Sequence, residues 1–377
     1  MIYLDNSATT FPKPYTVIRE VENAMKNYSA NPGRSGHSLS LLAAKNVFEC
    51  RKSVCRLFNT DDESKVVFTS GCTHSLNTVI KGVLKPGDHC VISTFEHNSV
   101  LRPLEKLKEK NISYSIADVF VEDNDKTVDS FRKCFNEKTK LVVCTHASNV
   151  FGFRLPVERI CALCHSYGIL FCLDAAQSAG VFDIDLKRDN YDYVCCAGHK
   201  GLYGPMGVGV LVINTDKLPD SLIEGGTGSE SSNVLQPEFT PDKYESGTVN
   251  VCGICGLRKG IEFVLSKTPF VIANQEMAHL RMLYQYLNKN KKVKLYTDIP
   301  TVDAFAPVLS FSVANKSSEE VAAFLNNNSV AVRAGLHCAP LAHKKMNTIE
   351  NGTVRVSPSV FTKEQDIRKL IYLINKF

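Results

Sequence analysis

Residues 141–176 read LVVCTHASNVFGFRLPVERICALCHSYGILFCLDAA, and the fold turns on them. The runs "LVVCTH" and "ILFCLDAA" are apolar without the alternation of a half-exposed strand, so each is expected to be a strand covered on both faces. Between them "VERICALCHSYG" reads as a helix. Strand, helix and strand in that order imply a right-handed crossover between parallel neighbours. Upstream the pattern repeats as strand "KVVFTS" (65–70), helix "THSLNTVIKGVL" (73–84), a "PGD" turn and strand "HCVIST" (89–94). A helix around 99–110, strand "ISYSI" and helix "VDSFRKCF" continue it. Downstream, "DYVCCA" and "VGVLVI" are too close together to hold a helix between them, so they are expected as sheet neighbours joined by a loop. The fold class is therefore α/β, with a mostly parallel sheet covered by helices.

Beyond position 255 the texture changes. A long helical stretch over 256–290 precedes strand "PVLSFSV", helix "SSEEVAAFLNNN", short strands "VAVRAG" and "TVRVSP", and a last helix "TKEQDIRKLIYLINKF". "SSEE" and "TKEQ" have the spacing of helix capping boxes. The expected organisation is an N-terminal arm (1–14), a large domain (15–255) and a smaller C-terminal α/β domain (256–377). The Gly/Ser-rich 224–242 reads as an ordered surface loop.

With 377 residues, 44% apolar and 22% charged, the chain has the composition of a globular protein. Its net charge of +5 is small for the length and its Lys and Arg are scattered, which gives no electrostatic case for nucleic acid or an anionic membrane. "MIYLDNSATTFPKP" lacks the basic and apolar regions of a signal peptide, so a cytoplasmic location is expected. Most of the 14 cysteines sit inside apolar strands, as reduced thiols that act as small hydrophobes. "CALCHS" and "CGIC" have no second pair at zinc-site spacing, and no metal is expected.

Open parallel sheets place ligands at the carboxyl ends of their strands. Five loops there carry chemistry. Gly71, Cys72 and Thr73 open a helix whose free N–H groups suit a phosphate. His97 follows "HCVIST", Asn149 follows "LVVCTH", and Asp174 and Gln177 follow "ILFCLD". His199 and Lys200 stand in "GHKGLYGPMG", a glycine-rich connection that lets the main chain and the lysine approach something bulky. A phosphate cradle, a carboxylate, an imidazole and a lysine are together what pyridoxal 5'-phosphate requires.

The motifs "YLDNSATT", "NPGRSGHSLS", "FTSGCTHSLN", "FEHNSV", "THASNVFG", "DAAQSAG", "AGHKGLYGPMGVGVL", "YESGTVN", "RAGLHCAP" and "VRVSPSVFTKEQDI" occur in one order along the chain. In that order they resemble the class V aminotransferase-like, fold type I pyridoxal phosphate enzymes, in particular the SUF-type cysteine desulfurases and selenocysteine lyases. The resemblance implies Lys200 as the Schiff-base lysine, Asp174 as partner of the ring nitrogen, Gln177 on the ring hydroxyl and His97 stacked on the ring. It implies Thr73 and His199 on the phosphate with Cys72 in the same cradle. Gly247 and Thr248 would reach the phosphate of a neighbouring subunit in a homodimer with shared sites. Asn149 and Arg355 would clamp the substrate carboxylate, with Arg333 nearby; His37 receives no role.

Cys338 of "RAGLHCAP" is the implied nucleophile. His337 and Arg333 are expected as cationic neighbours that favour its thiolate. The implied reaction takes L-cysteine to L-alanine, leaving a persulfide on Cys338 for an acceptor protein or reductant. Selenocysteine lyase activity, another class V reaction such as transamination or desulfination, and a non-catalytic scaffold are the alternatives. Three departures from the family pattern stand out: Ala197 where a serine is frequent, Cys72 for threonine and Asn98 for a second histidine.

Overall fold

The computed structural model describes residues 1–33 and 35–377; Arg34, within "NPGRSGHSLS", lies outside the described residues. Strand β1 (Ile2–Tyr3) and helices α1 (Tyr15–Asn27) and α2 (Ser38–Phe58) open the chain. Then β2 (Val66–Thr69), α3 (Cys72–Val83), β3 (His89–Ser93), α4 (Asn98–Leu107), β4 (Ser113–Ala117), α5 (Asn124–Cys134), β5 (Thr139–Thr145), α6 (Val157–Ser166) and β6 (Leu170–Asp174) alternate as expected. After the short α7 (Leu186–Asp189) come β7 (Tyr193–Ala197) and β8 (Gly209–Ile213). The seven strands form one sheet in the order β2-β8-β7-β6-β5-β3-β4. From β7 to β4 every pairing is parallel, and β8 runs antiparallel to both β7 and β2.

Burial explains the patterning. β7 and β8 are buried along their whole length, and β6 from its second residue. Only β4, at the sheet edge, shows exposed positions at both faces. The sequence reading assigns nothing to 15–64, where α1 and α2 lie. α2 hides its amphipathic period because Leu39, Leu41, Leu42 and Phe48 are exposed while Ala43, Val47, Cys50 and Val54 are buried.

The expected long helix over 256–290 is two helices, α8 (Val251–Lys267) and α9 (Pro269–Leu287). Pro269 has no N–H to continue the first and pushes the preceding residue out of the helical region; Thr268 turns to φ +68° and caps α9 through Val271 N–H at 3.3 Å. α8 passes unbroken through 255, where the sequence reading divides the chain, and packs on α1 and α2.

The C-terminal part comprises β9 (Val293–Leu295), β10 (Leu309–Val313), α10 (Ser318–Asn327), β11 (Val330–Ala331), β12 (Arg333–Gly335), α11 (Pro340–Lys345), β13 (Thr353–Val356) and α12 (Glu364–Ile374). β12-β13-β10-β9 form an antiparallel sheet, and β1 pairs in parallel with β11, so the chain's start is stitched to its end. The "SSEE" box forms between Ser317 and Glu320. The "TKEQ" box shifts by one residue: Asp366 accepts Lys363 N–H at 2.9 Å, while the Thr362 hydroxyl accepts Ser359 N–H at 3.0 Å.

Candidate active site

Lys200 lies in the loop from β7 to β8. Its neighbour Gly201 allows contact that a side chain would prevent, since a Cβ there would stand 2.4 Å from Ala179 O. The N-terminal arm fastens the loop: Thr10 N–H donates to His199 O (3.0 Å), the Thr10 hydroxyl to Lys200 O (2.6 Å) and Lys13 Nζ to His199 O (2.7 Å). Burial pushes the Lys200 amine below the usual lysine range, Asp174 draws it back up, and Arg355 and Arg333 press it down. The result favours the neutral, nucleophilic amine.

Asp174 ends β6 and is 2% exposed. Its Oδ1 accepts Ala176 N–H at 2.9 Å and the Cys72 thiol at 3.5 Å; among the described residues no ion pair reaches it, and Lys200 acts on it only at longer range. Burial raises its pKa. A carboxylate shut away from water without a directly bonded cation fits a ligand that brings one, which a protonated pyridine ring does. Here the structure differs from the sequence reading of Cys72. Its side chain turns away from the phosphate cradle, to Asp174 and to Cys195 O at 3.4 Å, and burial holds it protonated as a donor.

His97 is the N-cap of α4. Its Nδ1 accepts Ser99 N–H at 3.0 Å, which leaves Nε2 as the free edge of the ring. Burial, then Lys200 and Arg333, lower its pKa to about 4, so it is a neutral imidazole at working pH. Gln177 is oriented by donating Nε2–H to Ser7 O at 3.1 Å.

The phosphate end also fits. Gly71 caps α3 without a side-chain cap, and the space where its Cβ would stand is open. Thr73 is exposed in the first turn, and His199 has a buried Nδ1 with no partner. Free helix N–H groups suit an anion, as does an unpartnered ring nitrogen. Burial brings His199 to about 4, so it is neutral too. Ala197, buried at the end of β7, has no hydroxyl to add.

Arg355, on β13, is 1% exposed. Nη1 donates to Asn149 O at 2.8 Å, Nη2 pairs with Asp5 Oδ1 at 2.7 Å, and the buried Nε has no partner. Arg333 is its Cα partner across β12 and β13. Asn149 donates Nδ2–H to His337 O at 2.8 Å. Arg355 and Asn149 thus stand together, and each already holds a protein atom. Asp5 is the participant the residue-by-residue reading passes over; its signal was its place in "YLDNSATT".

Cys338 is the only exposed cysteine of the 14. Asn98 N–H donates to Cys338 O at 2.8 Å, so the residue that departs from the family pattern anchors the thiol loop through its backbone. His337 and Cys338 both adopt left-handed backbone, φ +50° and +58°. The expectation of a cationic His337 is corrected. The ring is 4% exposed, and burial, then Arg355, push its pKa down to about 2, so it is neutral and Arg333 is left as the cation of that pair.

Gly247 and Thr248 are exposed in the segment before α8, and Gly247 N–H donates to Gly226 O at 2.9 Å. His37 is a helix cap whose Nδ1 accepts Ser40 N–H at 3.2 Å at the start of α2. Among the described residues no cluster suits a metal ion, and no helix is long and apolar enough to cross a membrane.

The aminotransferase class-V family model matches residues 2–370. A probable cysteine desulfurase of Methanothermobacter thermautotrophicus is 32% identical over 380 residues, covering 98% of this chain and 92% of the relative. One from Pyrococcus abyssi is 32% identical over 391 residues, covering 100% and 94%. The apo structure of a cysteine desulfurase from Thermococcus onnurineus superposes with a TM-score of 0.91 at 31% identity, over 100% of this chain and 94% of that one. A cysteine desulfurase from Escherichia coli, at 24% identity and a TM-score of 0.88 over 99% and 94%, shares the fold.

Proposed function

The chain belongs to the aminotransferase class-V family, and from that premise we propose that it is a pyridoxal phosphate-dependent cysteine desulfurase converting L-cysteine to L-alanine. The observation that carries this reading is the placement of the one exposed thiol. Cys338 rides on a loop held by Asn98, next to His97, and through His337 by Asn149, next to the Arg355 guanidinium. A transaminase has no use for a thiol there.

When bound, pyridoxal phosphate supplies a ring that takes up negative charge from the substrate's Cα. Lys200 would hold the cofactor through its amine, and that amine is the group that would move the Cα proton. Asp174 would keep the proton on the ring nitrogen, Gln177 and His97 would orient the ring, and Thr73, His199 and the start of α3 would hold the phosphate. Arg355 and Asn149 orient the substrate carboxylate, a guanidinium fork being suited to that task. The Cys338 sulfur attacks the substrate sulfur. The Cβ–S bond breaks, an S–S bond forms, and a proton replaces sulfur on carbon, so L-alanine leaves and Cys338 carries the persulfide.

A sulfur-accepting protein or reductant, a homodimer sharing its sites through Gly247 and Thr248, and the division into arm, large domain and small domain belong to the same proposal. The exposed Leu39, Leu41, Leu42 and Phe48 of α2 support a protein partner on that face. The test is a paired assay of wild type and Cys338→Ala, following alanine from L-cysteine and from L-selenocysteine with a reductant present. Loss of cysteine turnover with the cofactor's visible absorbance retained is the expected result. Survival of selenocysteine turnover would confine the thiol's role to sulfur, and no alanine from either substrate with wild type would sink the reading.

A further inference from the structure

We propose that Asp5 sets how tightly this site takes a carboxylate: it occupies the Arg355 guanidinium in the free enzyme and must yield to the substrate. The inference deepens the desulfurase reading and rests on Arg355 as the carboxylate group of that site.

The Arg355 side chain is 2% exposed and that of Asp5 20%. Their contact, Nη2 to Oδ1 at 2.7 Å, is the ion pair that neutralises this buried cation. A substrate carboxylate binds a guanidinium best through two parallel N–H groups. Here Nη1 serves Asn149 O, Nη2 serves Asp5, and Nε is buried without a partner. An incoming carboxylate therefore meets a paired guanidinium. It either displaces Oδ1 or sets a second anion beside the first, and like charges at such range in a partly desolvated site repel strongly.

The two residues differ in their freedom to give way. Arg355 is locked by burial and by Asn149 O. The Asp5 backbone is also held, bridging to Ser357 and taking the Tyr3 hydroxyl on its carbonyl oxygen at 3.1 Å, but its carboxylate is partly exposed and can rotate. The consequence is selectivity. A carboxylic acid lacking an amine has only Arg355 and Asn149 with which to offset the displacement of Asp5, whereas an amino acid also gains its bond to the cofactor.

The experiment uses the holoenzyme and three ligands: L-cysteine, 3-mercaptopropionate (carboxylate without amine) and cysteamine (amine without carboxylate). In Asp5→Asn, KM for L-cysteine and the inhibition constant of 3-mercaptopropionate should both fall about tenfold, with kcat changed less than twofold and cysteamine binding unchanged. An unchanged or higher constant for 3-mercaptopropionate would overturn the proposal. So would a shift of all three ligands together, which marks loss of the arm's structural support. Asp5→Ser, uncharged but able to accept from Nη2, gives the same reading should Asp5→Asn not fold. If wild type does not act on L-cysteine, the desulfurase reading fails on its own, and calorimetry with 3-mercaptopropionate still decides the role of Asp5.

Discussion

Cys72 donates its thiol to Oδ1 of Asp174 across 3.5 Å. The contact adds a weak donor to a carboxylate that otherwise takes only Ala176 N–H on that oxygen. Removing it leaves a small void and one donor fewer for a buried anion. Cys72→Ala should therefore raise the dissociation constant for pyridoxal phosphate about threefold to tenfold, as expected for about 1 kcal/mol of hydrogen bonding. Cys72→Thr, with a stronger donor of similar size, should hold it near the wild-type value. Equilibrium dialysis of the cofactor reads both, and identical constants for Ala, Thr and Cys would remove the thiol from the account of Asp174.

Cys338 sits in left-handed backbone at φ +58°, next to His337 at +50°. For a residue with a Cβ that conformation costs about 1 kcal/mol, and glycine escapes the cost. Cys338→Gly should melt at a higher temperature than Cys338→Ala, while both lose turnover of L-cysteine. The comparison separates the strain of the loop from the chemistry of its thiol. Equal melting temperatures would mean that the Asn98 and Asn149 hydrogen bonds do not hold the loop in this conformation.

The same contrast between local and distant determinants governs what the sequence discloses. Strands such as β7 and β8 are legible because burial on both faces makes their whole length apolar. Lys200, Asp174, His97 and Asn149 are legible because each stands at or just past the carboxyl end of a strand of one sheet, so topology brings them to one edge. The α8–α9 break has a local signal in Pro269, but the apolar residues around it mask it as one helix. Asp5 is different in kind. Its partner Arg355 lies 350 positions along the chain, and no local pattern announces a pairing made by stitching β1 to β11. The direction of the Cys72 side chain and the neutrality of His337 are likewise invisible, since both depend on burial created by other elements.

Two carboxyl groups outside the proposed chemistry control how stability varies with pH. Glu96 is fully buried: Oε1 accepts the Ser93 hydroxyl (2.5 Å) and Thr145 N–H (2.8 Å), and Oε2 has no partner. Glu276 is 5% exposed and bonded to the Tyr203 hydroxyl at 3.0 Å. Burial pushes each up to about 8. An unfolded Glu titrates near ~4.3, so between that value and about 8 the folded chain keeps protons that the unfolded chain releases, and stability falls as pH rises, by about 1.4 kcal/mol per unit per group. His97, His199 and His343 act in the opposite sense. Burial lowers each of these to about 4 and His337 to about 2, so below an unfolded value of ~6.5 the unfolded chain gains protons that the folded chain refuses, and stability rises with pH until about 6.5. The cofactor-free protein should thus be most stable near pH ~6.5, with the alkaline loss owed to the two carboxyl groups. Glu96→Gln keeps the acceptor for Ser93 and Thr145 but cannot ionise. Beyond a constant offset, its melting temperature should decline less than that of wild type between pH 6.5 and 8, and parallel curves would show that Glu96 is not protonated in the folded chain.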